Sequence, residues 1–142
     1  MFTFSAIEYD IIIKLLLSTL LGGIIGLERE FNKSAAGIRT YAIICMGAAL
    51  FTLASALVSI NLAGGVITGI GFLGAAVIFK NENRIVGITT AALVWSTASI
   101  GFVTGLGMYF AAIFATIILL IILVPMEYVE RKILKFHDEK GF

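Results

Sequence analysis

Apolar stretches separated by short polar breaks make up most of the chain: Ile11 to Leu27, Tyr41 to Ile60, Leu62 to Phe79, Ile85 to Gly105 and Met108 to Met126. Each comes near the roughly 20 mostly apolar residues that a helix needs to cross a bilayer. The pattern predicts an all-α polytopic membrane helix bundle of about five transmembrane helices. It forms one domain over residues 1–142, with 127–142 as a tail. Four spans are the alternative if the last two runs are misread. The breaks around Asn61 and at Gly105 to Gly107 are short enough to make the helices they join antiparallel neighbours.

Charge orients the bundle. All basic residues except Lys14 fall at Arg29, Lys33 and Arg39, at Lys80 and Arg84, or at Arg131, Lys132, Lys135 and Lys140. Lys and Arg collect on cytoplasmic loops, so the acidic N-terminus (Glu8, Asp10) is expected outside and the tail inside. Lys14, one turn from the outer end, can snorkel to the interface and pair with Asp10. The first run lacks a basic n-region and a small-residue cleavage site, so it is expected to stay in the membrane. In the tail, Met126, Val129, Ile133 and Phe136 share a helical face. That suits either a helix in the headgroup region or a solvated charged tail.

Composition narrows the class further. The chain is 60% hydrophobic and 13% charged, with mean hydropathy +1.07, whereas soluble domains are about a quarter charged. The lipid bilayer is therefore its solvent, and a net charge of +1 gives no reason to expect nucleic acid. Cys45 is alone and implies neither a disulfide nor a thiolate zinc site. With His137 as the sole histidine and no phosphate-binding loop, no enzymatic constellation is present. No cofactor is called for, magnesium being conceivable as ligand or substrate.

Glycines recur four apart at Gly22/Gly26, Gly65/Gly69 and Gly101/Gly105, with Gly71 and Gly74 beyond. Such spacing lets another helix backbone approach closely. The crowding of glycine from Gly64 to Gly74 also allows a kinked or unwound third span. Gly37-Ile38-Arg39-Thr40-Tyr41-Ala42 echoes Gly87-Ile88-Thr89-Thr90-Ala91-Ala92, which suggests a parallel internal repeat or chance similarity between apolar helices.

Two polar features are candidates for function. Glu28 and Glu30 end the first span and Arg39 opens the second, each opposed to its own helix dipole. They are expected to pair, Glu28 or Glu30 with Arg39 and also with Arg29; alternatively they form an inner-face site, with Thr40, for a hard cation or an anion. On the fourth span Thr90, Thr97 and Thr104 recur every seven residues on one face, flanked by Thr89, Ser96 and Ser99. This stripe either packs or lines a polar pathway. Trp95 sits near mid-span, against a neighbouring helix or walling a cavity.

Several segments together resemble the membrane domain of the MgtC/SapB family: Gly22-Gly23-Ile24-Ile25-Gly26-Leu27-Glu28-Arg29-Glu30, Ala36-Gly37-Ile38-Arg39-Thr40, Gly47-Ala48-Ala49-Leu50, Gly69-Ile70-Gly71-Phe72-Leu73-Gly74-Ala75 and Gly87-Ile88-Thr89-Thr90-Ala91-Ala92, then Trp95 and Gly101. The resemblance implies a bacterial inner-membrane protein concerned with magnesium or ion homeostasis. Its characteristic positions here are Glu28, Arg29, Arg39, Thr40, Gly71, Gly74, Thr89 and Thr90. Family members have been described as magnesium-related transporters and, alternatively, as regulators that bind other membrane proteins, including the F-type ATP synthase. Two departures are expected to matter: the cytoplasmic domain of longer members is missing after the last span, and Ala76 stands where many members have glycine. Five helices enclose little space, so a homo-oligomer is expected. Transport would use Glu28, Glu30 and Arg39 as a gate and the threonine stripe as a route. Regulation would instead use glycine faces such as those at Gly65 and Gly101 for docking.

Overall fold

A computed structural model describes residues 6–58, 62–81 and 84–138. The chain order is α1 (Ala6–Phe31), α2 (Ile38–Val58), α3 (Leu62–Ala76), β1 (Phe79–Asn81), β2 (Arg84–Val86), α4 (Ile88–Gly105) and α5 (Tyr109–Asp138). The architecture is an all-α bundle with one small hairpin. In lipid a helix satisfies every backbone polar group internally, which is why each apolar run becomes one. Among the described residues three helices are long and apolar enough to cross a membrane: α1, α2 and α4. The connection around Asn61 lies outside the described residues.

The core is a three-helix contact in which α2 packs between α1 and α4. A Cβ at Gly22 would stand 2.6 Å from the Cys45 Cβ, and one at Gly26 would stand 2.6 Å from the Ile38 Cα. On the opposite side a Cβ at Gly101 would run into the Cys45 carbonyl, and one at Gly105 would lie 2.7 Å from the Thr52 Cβ. Ile25, Tyr41, Cys45 and Ala49 fill the space between and are wholly buried. Lipid tails are as apolar as leucine, so close packing of this kind, not water exclusion, holds membrane helices together.

Two helices end in the same motif. At the end of α1 the Ser34 amide donates to the Arg29 carbonyl (3.0 Å) and the Lys33 amide to the Glu30 carbonyl (3.1 Å). At the end of α4 Met108 donates to Val103 (3.1 Å) and Gly107 to Thr104 (2.9 Å). Both are Schellman caps, which need a left-handed residue at the turn. Gly107 meets this at φ 83°, but α1 uses Lys33 at φ 53°. A side chain costs roughly 1–2 kcal/mol in that conformation. Because Lys33 is exposed, Lys33→Gly is expected to stabilise the protein by about 1 kcal/mol, read from chemical denaturation in detergent micelles.

Three expectations need correction. The third span stops at Ala76 instead of Phe79, because the Val77 and Ile78 amides turn back to Gly74 and Ala75 (3.3 and 3.1 Å) and the chain then extends into β1. The fourth helix starts at Ile88 and not Ile85, since Ile85 and Val86 belong to β2, paired antiparallel as Phe79↔Val86, Lys80↔Ile85 and Asn81↔Arg84. Between them Gly87 sits at φ 91°, where a Cβ would strike the Val77 carbonyl. Thirdly, the last span, expected to end at Met126, and the tail after it form one helix, α5, which runs through Pro125 to Asp138. The face assigned to Met126, Val129, Ile133 and Phe136 concerns side chains outside the described residues. The echoed segments occupy equivalent places: Gly37 accepts from the Tyr41 amide as α2 opens (3.2 Å), and Gly87 from the Ala91 amide as α4 opens (2.9 Å).

Candidate functional site

The basic end of the bundle gathers the last turn of α1 and the first turn of α2. There neither carboxylate pairs with Arg39 among the described residues: Glu28 takes Arg29, the other partner expected for it, and Glu30 takes a backbone amide. Arg29 donates through Nε to Glu28 Oε2 (2.5 Å) and through its terminal nitrogen to Glu28 Oε1 (2.7 Å), and Asn32 Nδ2 also donates to that Oε1 (2.7 Å). The side chains of Glu28 and Arg29 are each only 10% exposed, which makes this a buried, bidentate ion pair. Arg29 lies in the last turn of α1, where a cation suits the dipole and offsets the carboxylate beside it.

Glu30 takes a different role. Its Oε2 accepts from the Ile38 amide at 3.1 Å, so the carboxylate caps the positive end of α2 across the turn. This removes the apparent conflict between Glu30 and the dipole of its own helix, because the nearer field is that of the next one. A Cβ at position 37 would overlap Glu30 Oε2, so any residue other than glycine there would require the carboxylate to shift. Glu28 and Glu30 are therefore not brought together, and among the described residues no group of three Asp, Glu, His or Cys side chains converges to hold a metal ion. A cation at Glu28 would have to displace Arg29 and Asn32.

Arg39 and Thr40 are exposed. With Glu30, Gly37 and Ile38 they line a cavity of about 560 Å³ at this end. The buried Tyr41 lies within electrostatic range of Arg29 and Glu28, and its hydroxyl has no hydrogen-bond partner among the described residues.

The threonine stripe faces inward. Thr90, Thr97 and Thr104 are buried; Thr104 donates back to the Ile100 carbonyl (2.7 Å), and the Thr97 hydroxyl has no partner among the described residues. Between Thr97 and Thr104, Gly101 touches the α2 backbone, so the line is packed. The cavities beside α4 open on its other flank. One of about 480 Å³ lies against α5 and one of about 120 Å³ against α3, and Trp95 and Ser99 border both. Trp95 is half exposed and thus walls cavities. Thr89 is exposed at the start of α4.

The glycines divide just as sharply. Gly22, Gly26, Gly101 and Gly105 are in the core contacts, and Gly74 rests on Ala91 at 3.5 Å. Gly65, Gly69 and Gly71, expected at helix contacts, have nothing within 4 Å of a Cβ. For Gly65 and Gly69 the reason is that α3 stands away from α2, leaving a cleft of about 620 Å³ that both line.

At the acidic end Lys14 pairs with Asp10 at 2.5 Å. Tyr109 also donates to Asp10 Oδ1 (3.1 Å), and the Lys14 side chain lies over Gly107, which ties α1 to the turn before α5. The sequence pointed to the Lys14 pairing; Tyr109, ninety-nine residues away, carried no signal.

A bundle of apolar helices closed by glycine contacts, with a buried ion pair and basic loops at one end, defines a small helical membrane protein. The family model described as the MgtC family matches residues 15–132, and the chain belongs to that family. It is 39% identical over 127 residues to the Escherichia coli K12 protein named "Putative magnesium transporter YhiD", an alignment covering 80% of this chain and 59% of the relative. It is 42% identical over 116 residues to "Protein MgtC" of Salmonella typhimurium LT2, covering 79% and 50%. A Haemophilus influenzae protein of unassigned role is 43% identical over 123 residues, covering 76% and 52%. The chain thus spans about half to three-fifths of the length of these curated relatives. No solved structure matches it.

Proposed function

We propose that the chain serves magnesium homeostasis in a bacterial inner membrane, with its basic end in the cytoplasm, and that it regulates by binding another membrane protein instead of conducting ions through its own bundle. Magnesium enters through the name of the Escherichia coli relative, and the orientation through the positive-inside rule. One observation carries the choice of mechanism: the polar line at heptad spacing on α4, Thr90, Thr97 and Thr104, is buried against α2 with Gly101 in backbone contact. The two carboxylates that would gate a route are engaged, Glu28 by Arg29 and Asn32, Glu30 by the α2 amide. Docking would fall to the exposed faces of the helices; Gly101, being internal, is not among them.

Transport is the second reading. It rests on the same relative's name and would need a route formed between copies of the chain. Magnesium flux into sealed liposomes separates the two. Full-length protein, shown by circular dichroism to be folded and by protease accessibility to be inserted, is expected to give no flux above protein-free vesicles. Flux above that background would overturn the regulatory reading and restore transport.

A further inference from the structure

The cleft between α2 and α3 is concave, apolar and unfilled. Ile43, Gly47 and Phe51 form its α2 wall and Gly65, Gly69 and Leu73 its α3 wall. Its volume of about 620 Å³ falls within the roughly 300–1,000 Å³ typical of small-molecule sites. The glycines create the concavity, since Gly47, Gly65 and Gly69 each leave open space where a side chain would stand.

A cation sits at its basic end. Arg39 is four residues before Ile43, hence one turn away on the same side of α2. Helical side chains lean toward their own N-terminus and a long arginine stem can lie along apolar surface with its charge at headgroup level; Arg39 itself borders the adjoining cavity beyond the last α2 residue of the cleft. Arg39 is exposed and makes no ion pair among the described residues; the neighbouring carboxylates with described side chains, Glu28 and Glu30, are already engaged. The cleft therefore combines an acyl-sized apolar trough with an exposed arginine, free of ion pairs among the described residues, one turn beyond its α2 wall.

We propose that this cleft binds an anionic phospholipid, one acyl chain lying between α2 and α3 and the phosphate held by Arg39. Charge favours lipid over a second copy of the chain. A copy in the same orientation would bring its own Arg39 to the same level, together with a Glu28 and a Glu30 that are both occupied. Basic sites between helices near the cytoplasmic surface are suited to acidic headgroups in this way. The site is independent of whether the protein transports or regulates.

Native mass spectrometry of the full chain, after equilibration with equal amounts of phosphatidylglycerol and phosphatidylcholine, tests this. Retained phosphatidylglycerol is expected to exceed phosphatidylcholine by about fivefold, the effect of one basic residue at an anionic surface. Arg39→Gln should remove that preference and leave the fold intact, since the residue is exposed. Gly69→Leu should fill the trough and reduce retention of both lipids, again without unfolding, because the added side chain enters open space. Equal retention of the two lipids by the unaltered chain would overturn the proposal. So would a preference that survives Arg39→Gln, unchanged retention in Gly69→Leu, or a lipid-free dimer that Gly69→Leu dissociates.

Discussion

Gly101→Leu is expected to destabilise the protein by about 3 kcal/mol or more, the upper part of the range for overpacked cores, whereas Gly69→Leu should change stability by less than about 0.5 kcal/mol. The two substitutions are chemically identical and both sites lie in apolar helices. They differ in what a side chain would meet. At position 101 even the Cβ collides with the Cys45 carbonyl, a backbone atom held on its other side by the contact of Gly22 with Tyr41 and Cys45. The α4–α2 contact can open only by moving a helix that α1 also grips. At position 69 the new side chain enters the open cleft. Denaturation in mixed micelles, followed by the fluorescence of Trp95, the sole tryptophan, would measure both. Equal losses would mean that α4 is not packed on α2 through Gly101, and the argument against a passage along Thr97 and Thr104 would fall with it.

How much of this was legible beforehand follows from which constraints act locally. Crossing a bilayer fixes length and composition together, so the apolar runs marked the helices without reference to anything distant. The hairpin was not legible for the same reason: Val77, Ile78, Phe79, Ile85 and Val86 are apolar whether they extend a lipid-facing helix or form a strand, and periodicity does not separate short apolar runs. Glycine spacing indicated that helices could touch but not where. Gly65/Gly69 and Gly101/Gly105 share the same spacing, yet one pair faces a cleft and the other the core, because the stand-off of α3 is a property of the assembled bundle. In the polar site, Glu30 was identified but its partner was missed, since the acceptor's target is a backbone amide eight residues on that leaves no mark on side-chain patterns. For Glu28 the sequence offered both Arg39 and Arg29; adjacent residues on a helix do not face each other, yet the long, flexible Arg29 side chain folds back over its neighbour, and Asn32, one turn on, completes the arrangement.

That buried pair leads to the second large effect. Glu28→Met is expected to cost about 3–5 kcal/mol, the range for removing one partner of a buried ion pair, because it takes both carboxylate contacts from Arg29. Exposure of only 10% for each side chain allows little relief from water or from screening. Arg29→Met should cost a similar amount by stranding the carboxylate. The double variant Glu28→Met/Arg29→Met is expected to recover most of the loss, since apolar groups of comparable volume can replace a buried pair at little cost, and the cycle should return a coupling energy of roughly 3 kcal/mol, the top of the usual range. A coupling below about 0.5 kcal/mol would mean that the pair is hydrated and contributes little. The distinction governs how any activity of this protein is to be assigned. If a single Glu28 variant abolishes magnesium handling in cells, unfolding explains it as readily as loss of a site. The double variant separates the two: function restored with stability makes Glu28 and Arg29 a structural clasp, whereas stability without function makes their charge part of what the protein does.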